Sequence, residues 1–115
     1  MLYKLFVIII IFAGEALAIY AEMVGARQFS DKVFVQLFLK MFLIMTSGGI
    51  FLVAGYMIGY KHFQNIWIVS AISVTSILII EPFLAYSLFH QLPSRGALLG
   101  FIFGSVGFAV TLLWN

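Results

Sequence analysis

Three stretches of this chain run for the length of a membrane crossing without a single Asp, Glu, Lys, Arg or His: Met41 to Tyr60, Phe63 to Ile80 and Gly96 to Trp114. A helix needs about 20 predominantly apolar residues, at about 1.5 Å rise each, to cross about 30 Å of hydrocarbon. A fourth candidate, from about Leu2 to Ala21, is interrupted only by Lys4 at its mouth and Glu15 inside it. Among 115 residues, so much apolar surface exceeds what a small soluble core hides. Hydrophobic residues make up 64% of the chain and charged residues 9%, against roughly 45–50% and about 25% in soluble domains. The expected fold is therefore all-α: an integral membrane bundle of four transmembrane helices, multi-pass, in the cell (inner) membrane.

The helices are expected over about 2–23, 33–60, 63–89 and 95–114, forming a single membrane domain over 1–115. The first loop, about Gly25 to Lys32, is the only polar stretch of any length. Lys61-His62 reads as a two-residue hinge that makes the second and third helices antiparallel neighbours. His90 to Arg95 is the third connection, and the Ser94 hydroxyl is placed to accept a bond from the first turn of the last helix. At the N-terminus, Lys4, the run Leu5 to Gly14 and Ala16-Leu17-Ala18 mimic a signal peptide with its cleavage site. Glu15 at the end of that run and the continuation through Ile19-Tyr20-Ala21 favour a retained helix.

With four crossings, Lys4 and Lys61 share one side of the membrane and Arg27, Lys32 and Arg95 the other, with Lys40 near the latter. Lys and Arg favour the cytoplasmic side, so this slight bias puts both termini outside. A bias so small also lets copies insert both ways.

Chemistry has few places to sit. The chain has no cysteine, which excludes disulfides and thiolate metal sites. His62 and His90 fall at opposite ends of the bundle, and no metal or cofactor is expected. A net charge of +2, thinly scattered, gives nucleic acid nothing to bind. No nucleophile–base pair or phosphate-binding glycine loop points to an enzyme.

Carboxyl groups inside a membrane are a different matter. Insertion scales put a central Asp at about 2.5–3.5 kcal/mol, and hydrocarbon disfavours the charged form, which is what a proton-coupled site requires. Glu15 lies about two-thirds along the first helix, with Glu22 two turns later and Ala18 leaving room for a ligand on that face. On the third helix Ser70, Ser73, Ile77 and Glu81 follow helical spacing. Pro82 has no N–H for the carbonyl of Leu78, so Glu81 stands beside a carbonyl that can accept. The competing reading makes each acid a structural partner, Glu22 above all, through Lys40. Glu15, Glu81 and Ser73 are the candidate substrate- or proton-binding residues.

The last helix repeats Gly96, Gly100 and Gly104, with Gly107 a turn later. Such ridges let helices approach closely in lipid, and these four are the expected dimer interface. Gly55 and Gly59 are a shorter instance. Packing within one subunit is the alternative for both.

These residues resemble the drug/metabolite transporter superfamily, particularly its four-helix members of the small multidrug resistance type. Ala13-Gly14-Glu15-Ala16 looks like the segment around the first-helix glutamate that binds protons and cationic substrates in those exporters. Glu81-Pro82-Phe83-Leu84-Ala85 resembles the Glu-Pro segment of the larger, EamA-like members. The stretch from Gln91 through Ala97-Leu98-Leu99-Gly100 to Gly107-Phe108 is similar to the loop and glycine-bearing final helix of both groups. The chain departs from the exporters in the third helix, where Ser73-Val74-Thr75-Ser76-Ile77 stands for Trp-Ser-Gly-x-Gly, and after the first, where Glu22 and Met23 replace a basic residue. What the resemblance implies is a proton-coupled transporter of a small or amphipathic substrate, acting as a homodimer or with a related subunit. A subunit of a lipid-linked sugar (polyprenyl phosphate) flippase is the second expectation. A non-transporting accessory subunit of a larger membrane complex is the third.

Overall fold

The computed structural model describes residues 2–29 and 33–114, without the side chains of Thr111 and Leu112. Four helices follow one another: α1 (Leu2–Gln28), α2 (Phe34–Phe63), α3 (Ile66–Phe89) and α4 (Arg95–Leu113). The described residues contain no strand. With 27, 30 and 24 residues, α1, α2 and α3 are long and apolar enough to cross a membrane, as a multi-pass protein requires. In α4 the apolar stretch, Arg95–Val110, is shorter.

α1 and α2 run antiparallel and touch through their backbones. A Cβ added at Gly48 would lie 2.9 Å from the carbonyl oxygen of Gly14 and 3.1 Å from the nitrogen of Ala18. Further along, Gly55 meets Ile11 and Gly59 meets Val7. Those α1 residues fall at i, i+4, i+7 and i+11, one helical face, and all are buried. Gly55 and Gly59 therefore pack within the subunit. α3 closes the other side of α1, with Val69 fully buried against Val7 and Ile11. At the far end Ala21, Val24, Leu37 and Met41 form a second apolar cluster.

That cluster explains where the first helix ends. Gly25 sits over Met41, so packing carries α1 through Gln28 instead of stopping near 23. Gly25 to Gln28 are thus helical, and Ser30, Asp31 and Lys32 of the expected loop lie outside the described residues.

The link between α2 and α3 also differs from expectation. Lys61 and His62 occupy the last turn of α2, where positive charge suits the helix dipole. The chain turns at Gln64 and Asn65 instead. Gln64 takes a left-handed conformation (φ 57°), its N–H donates to Tyr60 O, and its Nε2 donates to Lys61 O at 2.7 Å. The Asn65 side chain accepts from Trp67 N–H at 2.9 Å and opens α3. Basic residues mark where a chain meets water; it is capping chemistry that marks where a helix stops. At this same end Tyr3 stacks on His62 at 4.6 Å, and the Lys4 ammonium lies 5.4 Å from the Phe63 ring centre.

α3 continues through Pro82 to Phe89, as expected. Ser94 Oγ accepts from Ala97 N–H at 3.1 Å and caps α4. α4 itself packs chiefly against the edge of α3, and all its described side chains except Phe101 and Phe108 are exposed. The molecule is accordingly a slab, 47 × 34 × 18 Å, with α4 at its rim.

Candidate functional site

The buried face of α3 carries Val69, Ser73, Ser76 and Ile80, again one helical face. It packs against α1, and Glu15 points into that seam. Glu15 is 8% exposed and Ser73 6%. The Ser73 hydroxyl donates to Glu15 Oε1 at 2.5 Å. Below it, the Ser76 hydroxyl donates to the Ile72 carbonyl at 2.8 Å, satisfying itself within its own helix. Among the described residues, no fully buried side-chain nitrogen or oxygen lacks a partner.

Basic charge is far away along the chain that covers this site. Gly48 crosses α1 one residue before Glu15; Lys40 and Lys61 are eight and thirteen residues from it (48 − 40 and 61 − 48). Ala18 leaves room, as its size predicts, but α2 takes that room: Ala18 is buried under Gly48, and no ligand space opens there. Ser76, equally buried, was not singled out by sequence. Its spacing of three from Ser73 is the signal that would have found it.

Glu81 does not join this site. It lies eight residues beyond Ser73, about 12 Å along the helix, and lines a cleft of about 750 Å³ between α3 and α4. Leu78, Pro82 and Tyr86 of α3 form one wall, Phe101, Ile102 and Ser105 of α4 the other, and Gln91 to Ser94 the closed end. Glu81 is half-buried there. Glu22 is exposed and shares a shallow depression with Phe38, Met41, Phe42 and Met45, to which Lys40 does not contribute. The expected Glu22–Lys40 pair is not formed.

The α4 glycines face elsewhere again. At about 100° per residue, Gly96 and Gly100 fall roughly opposite the α4 residues that line the cleft, and Gly104 falls to the side, two turns from Ala97. A Cβ added at any of the three meets nothing within 4 Å, and the same holds at Gly107. So the two small-residue ridges differ: the α2 ridge is filled from within the subunit, and the α4 ridge is not.

His62 and His90 stay apart, and no group of three or more His, Asp or Glu among the described residues is placed to hold a metal ion. Comparison with family models, curated proteins and solved structures finds no match to this chain.

Proposed function

We propose that this chain is a small membrane transporter of four membrane-spanning helices, working as a dimer, with Glu15 as the carboxyl group that couples proton movement to cargo. One observation carries the reading. A carboxyl side chain sits buried in the middle of an apolar helix, held by a single serine hydroxyl, and the basic residues of α1 and α2 are eight or more positions along their helices from its level. A purely structural acid in lipid pairs with a base or with several donors. A carboxyl held by one hydroxyl can instead exchange that partner for a proton or a polar group of the cargo. Ser73 is then the resting partner, and Glu81 a separate polar group in the cleft.

A second copy completes the machinery. Without a hydrophobic drive between helices in lipid, close backbone contact is a main source of association, and the open ridge of Gly96, Gly100 and Gly104 offers it. Gly107 extends that ridge. Two copies inserted in opposite senses generate the inverted pair that larger transporters encode in one chain.

The lipid-linked sugar flippase remains the second reading, because a groove between α1 and α3, lined by Phe12, Leu17, Ile79 and Phe83 and by no charged residue, suits a polyprenyl chain. The test is transport by the purified protein in liposomes under a pH gradient, across a panel of cations and lipid-linked sugars. Gradient-driven uptake that Glu15→Gln abolishes is the expected result. Uptake that survives Glu15→Gln sinks the coupling role. No uptake of any cargo, with purification only alongside a larger partner, favours an accessory subunit.

A further inference from the structure

The cleft between α3 and α4 has a chemistry of its own. Its walls are apolar except for one carboxyl group, Glu81, and a few neutral polar groups, among them Tyr86, Gln91 and Ser105. No Lys, Arg or His lines it. Glu81 is half-buried, and its side chain makes no hydrogen bond or ion pair with the described residues, unlike that of Glu15. The site is therefore rich in acceptors: the Glu81 carboxyl group and the hydroxyl oxygens of Tyr86 and Ser105. It lacks a fixed cation.

Position adds the second half of the argument. The cleft lies on the face of α4 turned away from Gly96 and Gly100. A second copy seated on that ridge leaves the cleft uncovered, open sideways to the bilayer. With a volume of about 750 Å³, it is within the usual size of ligand pockets, roughly 300–1,000 Å³.

We infer that this cleft is a lipid-facing binding site for an amphiphile with a primary ammonium head, its N–H groups donating to Glu81 and the Ser105 hydroxyl and its chain lying along Phe101, Ile102 and Val106. The head must be a donor as well as a cation. Acceptors side by side reward a group with several N–H bonds, and a quaternary head offers them none. An anionic head, such as the phosphate of a lipid-linked sugar, is repelled by Glu81. The site names a cargo class for the transport reading and rests on that reading only for the step from binding to movement.

The test uses the full chain in neutral-detergent micelles with methyl-labelled alanine. Ala85 and Ala97 line the cleft, while Ala18 and Ala71 are buried elsewhere and serve as internal controls. The probes are dodecylammonium, dodecyltrimethylammonium and dodecyl phosphate. The primary amine is expected to move the Ala85 and Ala97 methyl signals saturably and leave Ala18 and Ala71 in place. The trimethyl and phosphate probes are expected to bind at least about tenfold more weakly, as a charged hydrogen bond requires. Glu81→Gln should remove that preference, with Ser105→Ala as a milder second variant that weakens the amine alone. Equal responses to all three probes, or an undiminished amine response in Glu81→Gln, would overturn the proposal by showing plain detergent partitioning. Uptake under a pH gradient is read apart from the amine response: uptake that survives Glu15→Gln sinks only the coupling role, and an amine response undiminished in Glu81→Gln sinks only the cleft.

Discussion

At the scale of single residues, two carboxyl groups in similar apolar sequence have different surroundings. Glu15 shares a buried seam with Ser73, whereas Glu81 faces an open cleft. Glu15→Gln keeps the side-chain volume, and its amide oxygen can still accept from Ser73, so assembly and unfolding temperature should stay near wild type while gradient-driven transport is lost. Ser73→Ala removes the donor instead. Hydrogen bonds between membrane helices average about 0.6 kcal/mol, with a maximum near about 1.7, so a loss of stability in that range is expected, measured by unfolding in mixed micelles. A loss well above it would mean that Ser73 serves packing beyond its bond to Glu15. Each of these residues was legible in the sequence as a polar group in an apolar run. Their pairing was not, because it depends on the register of α1 against α3, and no local pattern fixes the register of two helices distant in sequence. The separation of Glu81 from Glu15 was hidden for the same reason.

Elements were more legible than contacts. Charge-free runs announced the helices, and Ser94 was identifiable as a cap because capping is local chemistry. The α2–α3 link was misread where charge stood in for capping: Gln64-Asn65, not Lys61-His62, carries the turn. Glycine ridges were ambiguous in principle, since the same spacing serves contact within and between subunits. Geometry separates them. At Gly48 even a methyl group meets backbone, Gly14 O at 2.9 Å, and backbone cannot swing aside as a side chain does. Gly48→Ala should therefore destabilise the fold by about 1–3 kcal/mol, the usual range for overpacking. Within one subunit Gly100→Ala meets open space, so in protein diluted to monomer it should be neutral or stabilising by up to about 1 kcal/mol through helix propensity. Thermal unfolding of the two variants side by side checks this; equal losses would place the α4 ridge in a contact within the subunit.

The whole molecule is a slab with its last helix at the rim, a shape that leaves α4 to meet a partner. Gly100→Leu should shift the solubilised protein from dimer to monomer, seen by light scattering, while Ile102→Ala on the cleft face leaves the dimer alone. How the proposed pair would sit in a membrane is a question of charge. Tyr3 against His62 and Lys4 beside Phe63 put the start of α1 and the end of α2 at one end of the molecule, so Lys4 and Lys61 lie on one side. If α4 crosses too, as proposed, chain order gives the other side the remaining four Lys and Arg of the sequence. Two against four is a small difference for a rule that counts Lys and Arg near the ends of spans, and insertion in both senses is the expected outcome. The chain has no cysteine, so single reporters can be introduced at Gln64 and Leu92, both exposed and at opposite ends. In an otherwise unchanged chain, each reporter should label partly from either side of the membrane. Lys4→Gln with Lys61→Gln strips one end of its Lys and Arg and leaves the other four in place. Both lysines are exposed, so the fold should tolerate the change, at the loss of one weak contact between Lys4 and the Phe63 ring. In that background Leu92→Cys should label from the cytoplasmic side alone and Gln64→Cys from the outside alone, and transport that needs an inverted pair should fall with it. If the unaltered chain already labels from a single side, the two copies are parallel, and the inverted pair has to be abandoned.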